Sequence, residues 1–168
     1  MDPILDRARA GQGALERLMN AIPGFRGYRE KELRRDTDRI LREQIATRLD
    51  ENKKALNDAA AAATRGGGLD VINDIETARK RLDKITNRIR YADRGYAGLF
   101  DAVKVDEALL ERVYQFDLSL VEGMDAVRTA AQSASGADSR AGLKAMIAEI
   151  DAIDARLADR EAILSGIR

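Results

Sequence analysis

The 168-residue chain contains no histidine and no cysteine. Imidazole is therefore missing as acid, base or ligand, and thiol chemistry, disulfides and zinc sites of the usual kind are excluded. Carboxylates, Lys, Arg and Tyr are what remains for chemistry. Asp151, Asp154 and Asp159 look like a carboxylate cluster. Glu149, Asp151 and Asp154 span more than one helix face and lack a basic or histidine partner, so a solvated face accounts for them better. Carboxylate di-iron bundles need Glu-x-x-His pairs, which this chain cannot supply. Gly66-Gly67-Gly68 is not followed by the Lys-Ser/Thr of a phosphate-binding loop, and a hairpin tip is the better reading. No catalytic, cofactor-binding or metal residue is assigned, no cofactor or small-molecule substrate is evident, and the chain is not expected to be an enzyme.

Charge offers two further candidates. Residues 26–48 carry eight basic and five acidic groups. They could form a shallow basic face for phosphates or lipid headgroups. Intrahelical pairs such as Glu30–Arg34 and Asp38–Arg42, four apart in the favoured order, explain them more simply. Residues 79–94 hold seven basic and two acidic groups, whereas 95–127 hold two basic and seven acidic. A basic arm folded back on an acidic arm would be self-complementary. With 29 basic and 29 acidic residues the net charge is zero, which argues against a generic nucleic-acid binder.

Apolar periodicity supplies the elements that must carry these residues. Charged residues make up 35% and aromatics 4% of the chain, the mix of a long-helix protein. Both prolines, at 3 and 23, fall near the ends of the first helix, and none interrupts the chain after that. Apolar residues stepping by three and four predict helices near 2–21, 28–64, 69–93, 106–133 and 139–165. Val71, Ile75, Ala78, Leu82, Ile85 and Ile89 mark the third, behind Asp70 as a cap. Leu109, Val113, Phe116, Leu120, Gly123, Val127 and Ala130 mark the fourth, widened by Leu110, Tyr114, Val121 and Met124, with Asp106 as its cap. Leu143, Met146, Ile150, Ile153 and Leu157 carry the seam of the last, extended by Leu164 and Ile167. In the second, Leu33, Thr37, Ile40, Leu41, Ile45, Leu49 and Leu56 face inward. Faces this broad fit a bundle core better than a two-stranded seam. The expected fold is an all-α antiparallel bundle of about five helices with long coiled-coil-like hairpins, built as one domain over 1–168. Residues 1–24 are its candidate separable N-terminal helix.

Two features could meet partners. In the first helix, Ile4, Leu5, Leu15, Leu18, Met19 and Ile22 form a candidate membrane or partner face. The helix is weakly basic and has no aromatic residue, so packing against another helix is the simpler role. Between the third and fourth helices lies a structural elbow of Tyr91, Gly95, Tyr96, Leu99 and Phe100. Gly95 suits the left-handed end of a helix, Tyr96 would reach back onto Tyr91, and Leu99, Phe100 and Val103 would plug the bundle end. Arg26-Gly27-Tyr28 echoes Arg94-Gly95-Tyr96, which suggests that both junctions use one glycine and one tyrosine plug.

The segments Tyr28-Arg-Glu-Lys-Glu-Leu-Arg-Arg35, Asp74-Ile-Glu-x-Ala78 and Arg88-Ile-Arg-Tyr-Ala-Asp-Arg-Gly-Tyr-Ala-Gly-Leu-Phe-Asp-Ala-Val-Lys-Val105 resemble a group of bacterial helical proteins of unknown activity. The likeness lies within residues 28–35 and 74–105. It implies a bacterial, all-helical, non-enzymatic protein and carries over no functional residue. The plan of an amphipathic first helix followed by long hairpins is also similar to phage-shock-type membrane-associated proteins.

No apolar run approaches the ~18–20 residues needed to span a bilayer, and the N-terminal segment lacks the basic region and apolar core of a signal peptide. The functional expectation is a cytoplasmic scaffold acting through a protein partner or self-association. The alternative is a peripheral membrane protein of an envelope-stress assembly at the inner membrane face, anchored by the first helix.

Overall fold

The computed structural model describes residues 13–66, 71–92, 100–102, 104–134 and 139–165. Helix α1 covers 13–21 of these. A 3-10 turn at Lys31–Leu33 leads into α2 (Arg34–Gly66), followed by α3 (Ile72–Arg90), α4 (Glu107–Ala134) and α5 (Ser139–Leu164). The fold is an all-α antiparallel bundle, as the periodicity predicts, and no strand occurs among the described residues. Boundaries of α3, α4 and α5 fall within three residues of expectation. Asp106 caps α4 as expected, accepting from the Ala108 N–H at 3.1 Å. Asp70 lies outside the described residues.

The apolar stripes become the core. Ile75, Ala78, Leu82, Ile85 and Ile89 of α3 are buried, as are Val113, Leu120, Val127 and Ala130 of α4 and Leu143, Met146, Ile150, Ile153 and Leu157 of α5. Each fully buried Leu or Ile contributes roughly 1.5–3 kcal/mol. Most of the stability of such helices comes from this packing rather than from propensity. Leu18 and Ile22 of the N-terminal region belong to the same core, so the described part of residues 1–24 is packed into the bundle.

Each long helix runs antiparallel to the one before it. The α2–α3 hairpin is held along its middle by Lys53–Asp83 at 2.7 Å and by Arg79 donating to Asn57 at 2.8 Å. In the α4–α5 hairpin, Arg156 donates to the Ser119 carbonyl at 3.2 Å. The two hairpins then lie side by side, with α2 against α4 and α3 against α5. Because every helix alternates in direction, these two lateral pairs run parallel. Helix α3 has no comparable packing on α4.

That arrangement corrects two charge expectations. The basic face of α3 does not pair with the acidic stretch of α4. It pairs with the acidic face of α5: Arg81 with Asp151, and Arg88 with both Asp154 and, at 2.7 Å, Glu161. Asp151 and Asp154, expected to be solvated carboxylates without cationic partners, are ion-paired. Sequence proximity on one helix could not reveal a partner on another.

Helix α2 starts later than predicted, at Arg34 rather than near Tyr28. The chain from 22 to 30 is drawn across the bundle end instead. Arg34 holds it there, donating through Nε to the Tyr28 carbonyl at 2.6 Å and through Nη1 to the Ala102 carbonyl at 2.6 Å. Arg34 is buried in this role, not paired with Glu30 on a solvated surface as expected. Asp38–Arg42 does form, at 2.8 Å.

The two hairpin helices α4 and α5 meet closely at Gly142, where an added Cβ would collide with the Ser133–Ala134 backbone. Gly142→Ala is expected to destabilise by about 1–3 kcal/mol, because backbone cannot move aside as a side chain can. Gly13 faces open space. Gly13→Ala should stabilise by roughly 0.4–1 kcal/mol through the unfolded chain. Urea denaturation of the two variants checks both signs.

Candidate functional site

The densest convergence of polar groups lies inside the bundle, at the end where α2 and α4 begin and α3 and α5 finish. Gly27, with φ of 79°, turns the chain so that Tyr28 enters the core. A Cβ on Gly27 would lie 2.8 Å from the Tyr114 hydroxyl, so side-chain space as well as backbone angle requires glycine there. Tyr28 stacks on Tyr114 with ring centroids 5.7 Å apart and planes at 9°. Phe25 meets the Tyr28 ring edge-on at 5.6 Å, and Phe100 lies 5.7 Å away on a tilt. The Tyr28 amide donates to the Tyr114 hydroxyl at 2.9 Å.

The Tyr28 hydroxyl donates to Asp117 Oδ2 at 2.7 Å and accepts from Arg160 Nη2 at 3.1 Å. That last contact joins residues 132 positions apart in the chain. Arg160 also donates from Nε to Asp117 and from Nη2 to Asp38 Oδ1 at 2.8 Å. Arg42 completes the set, donating to Asp38 Oδ2 at 2.8 Å. It also reaches the Arg90 carbonyl at 3.3 Å, at the end of α3 where cations suit the macrodipole. Side-chain exposure is 1% for Arg160, 0% for Asp117 and 3% for Asp38. Two guanidiniums thus face two carboxylates, and the formal charge of the cluster is zero.

Electrostatics follow from this burial. Desolvation pushes the Tyr28 phenol well above its ordinary value; Asp117 adds to the rise and Arg160 opposes it. Desolvation also raises the Asp117 carboxyl, against the pull of Arg160. Burial alone would lower the Arg160 guanidinium, but Asp117 and Asp38 hold it well above its usual range. Tyr114 is raised by burial as well. Such a cluster can lock a junction in place. It cannot meet a substrate in solvent, and its tyrosine stays protonated near neutral pH. Among the described residues no group of three or more acidic side chains is placed to hold a metal ion.

Sequence reasoning missed this cluster, although a signal was present. Leu110, Tyr114, Val121 and Met124 step along α4 with one place skipped, and Asp117 fills it. On α5 the seam jumps from Leu157 to Leu164, and Arg160 stands between them at the same spacing. Charged residues at core positions were the clue.

The predicted face of the first helix divides. Leu18 and Ile22 are fully buried in the bundle, Leu15 is partly buried against it, and Met19 stays 51% exposed. Ile4 and Leu5 lie outside the described residues. Of the elbow, Phe100 is buried and Tyr91 is 74% exposed. Gly95, Tyr96, Leu99 and Val103 lie outside the described residues. The tyrosine plug expected at the first junction is present as Tyr28. Among the described residues no helix is long and apolar enough to cross a membrane.

Outside the core, α2 and α4 flank an open groove of about 630 Å³. Met124 and Ala131 lie at its base beside Asn52 and Ala55, and Thr47 and Arg128 stand on its rims. Helix α1 sits on the same pair of helices, fastened by Arg48 to the Ala21 carbonyl and by Arg17 to Glu122.

Removing the shared cation should be costly. Arg160→Met leaves Asp38 and Asp117 in the core without it and is expected to destabilise by about 3–5 kcal/mol. Arg81→Met, at an exposed pair, should cost only about 0–1 kcal/mol. Denaturation midpoints of the two variants test the contrast. The raised Tyr28 phenol sets a second expectation. Its folded form holds the proton more tightly than the unfolded chain, which titrates near 10.0. Its contribution is complete below that pH and is lost as pH rises through the folded value. Stability measured between about pH 8 and about pH 11 should fall less steeply in Tyr28→Phe than in the unaltered chain, with Tyr114 supplying a remainder.

Compared with family models, with curated proteins and with solved structures, the chain matches none of them.

Proposed function

We propose that this chain is a non-enzymatic helical scaffold that works through protein–protein contacts in the cytoplasm. The observation that carries the reading is a contrast within the bundle. Its concentrated polar chemistry is sealed away from solvent around Arg160 and Asp117, whereas the α2–α4 groove is open along two long helices. Long helices with an accessible groove suit a helical or extended partner segment. The groove has small or flexible side chains at its base and both signs of charge on its rims, with Arg48 and Arg128 near Glu51 and Asp125. Such a lining favours a mixed polar partner over a purely apolar one.

Peripheral membrane binding is not adopted for the described part of the first helix. Ala14, Leu18 and Ile22 are buried against the bundle, and a lipid-facing role would require that helix to leave its place.

A photo-reactive side chain at Gln132, inside the groove, tests the scaffold reading in native lysate. The expected result is a discrete adduct that excess unlabelled chain competes away. The same label at Lys80, on the solvent side of α3, should give none. No competed adduct from Gln132 would remove the proposal.

A further inference from the structure

We propose that the buried cluster of Tyr28, Asp38, Asp117 and Arg160 sets the axial register between the two helical hairpins. Within each hairpin the short connection already limits sliding. Between hairpins nothing covalent of that kind acts, because the connection from α3 to α4 spans residues 91–106. The apolar seams repeat every seven residues, so a slip of one heptad, about 10 Å of helix, keeps them in phase.

The exposed charges do not forbid such a slip. Arg81 and Arg88 are seven residues apart, and so are Asp154 and Glu161. Arg88 already contacts both of those carboxylates. Sliding α3 against α5 by a heptad would exchange one such pair for another. These pairs are also partly solvated and adapt at little cost.

The buried cluster does forbid it. Seven residues either side of Asp117 stand Leu110 and Met124, and seven before Arg160 stands Ile153. After a slip, Asp38 on α2 would face apolar side chains in the core, and Arg160 would lose one of its two carboxylates. Tyr28 would lose Asp117, to which it donates at 2.7 Å. All three contacts are satisfied together only at the observed level. A single polar group at a seam position is an established way to specify register in helical assemblies.

The test uses the full chain with Thr47→Cys and Arg128→Cys, spin-labelled across the α2–α4 groove. The chain has no other cysteine. The labelled pair is measured in the native background and in Tyr28→Phe/Asp38→Leu/Asp117→Leu/Arg160→Met. The native background should give one narrow distance. The apolar background should stay helical and should show a second distance population displaced by the heptad slip. One unchanged narrow distance in the apolar background would overturn the proposal. Loss of helical structure would overturn it too, since the cluster would then supply stability rather than register.

Discussion

A guanidinium taken out of water must be neutralised where it lies, and here the neutralising groups come from other helices. Arg160 on α5 needs Asp117 from α4 and Asp38 from α2 at one level of the bundle. Asp38 in turn draws in Arg42, which reaches the closing carbonyls of α3. Every long helix therefore contributes to a single cross-section. The free energy of that section is the balance of heavy desolvation against attraction in a poorly screened interior. The junction before α2 depends on the same section, because Tyr28 supplies a hydroxyl between Asp117 and Arg160.

Aromatic packing and backbone geometry make the insertion of Tyr28 possible. Gly27 takes a conformation that side chains resist, and Tyr114 provides both a stacking surface and an acceptor for the Tyr28 amide. Arg34 ties the entering segment to the carbonyl of Ala102. The polar and apolar parts of this end are consequently one unit. Outer faces of the helices are tied less firmly, through exposed pairs such as Arg17–Glu122 and Arg35–Asp101.

Much of this fold was legible in the sequence, because burial writes a period into each helix. The stripes of α3, α4 and α5 name their own buried residues, and Pro23 with Gly24 marks the end of α1. The lateral arrangement was not legible. Seams of period three and four are satisfied by more than one order of helices around a core, so nothing local says that α3 lies beside α5 and not α4. The ion pairs of Asp151 and Asp154 were hidden for that reason. The central cluster was hidden for another. Asp117 and Arg160 read as gaps in apolar stripes when each helix is taken alone, and as a matched set only when the helices are combined. Tyr28 fell inside a predicted helix because its local sequence favours one; tertiary contacts to Tyr114 and Asp117 override that preference.

The contact between Tyr28 and Arg160 joins positions 132 residues apart. Each hairpin, by contrast, closes over a short connection. Loop closure grows costlier with the length of chain enclosed, and contacts distant in sequence slow a folding reaction. The hairpins are thus the natural early structures, and the section around Arg160 is completed when they dock. Until then its charges remain hydrated, so the chain collapses with its most expensive desolvation still to come. Docking of the hairpins is thus the event at which the register between them is chosen.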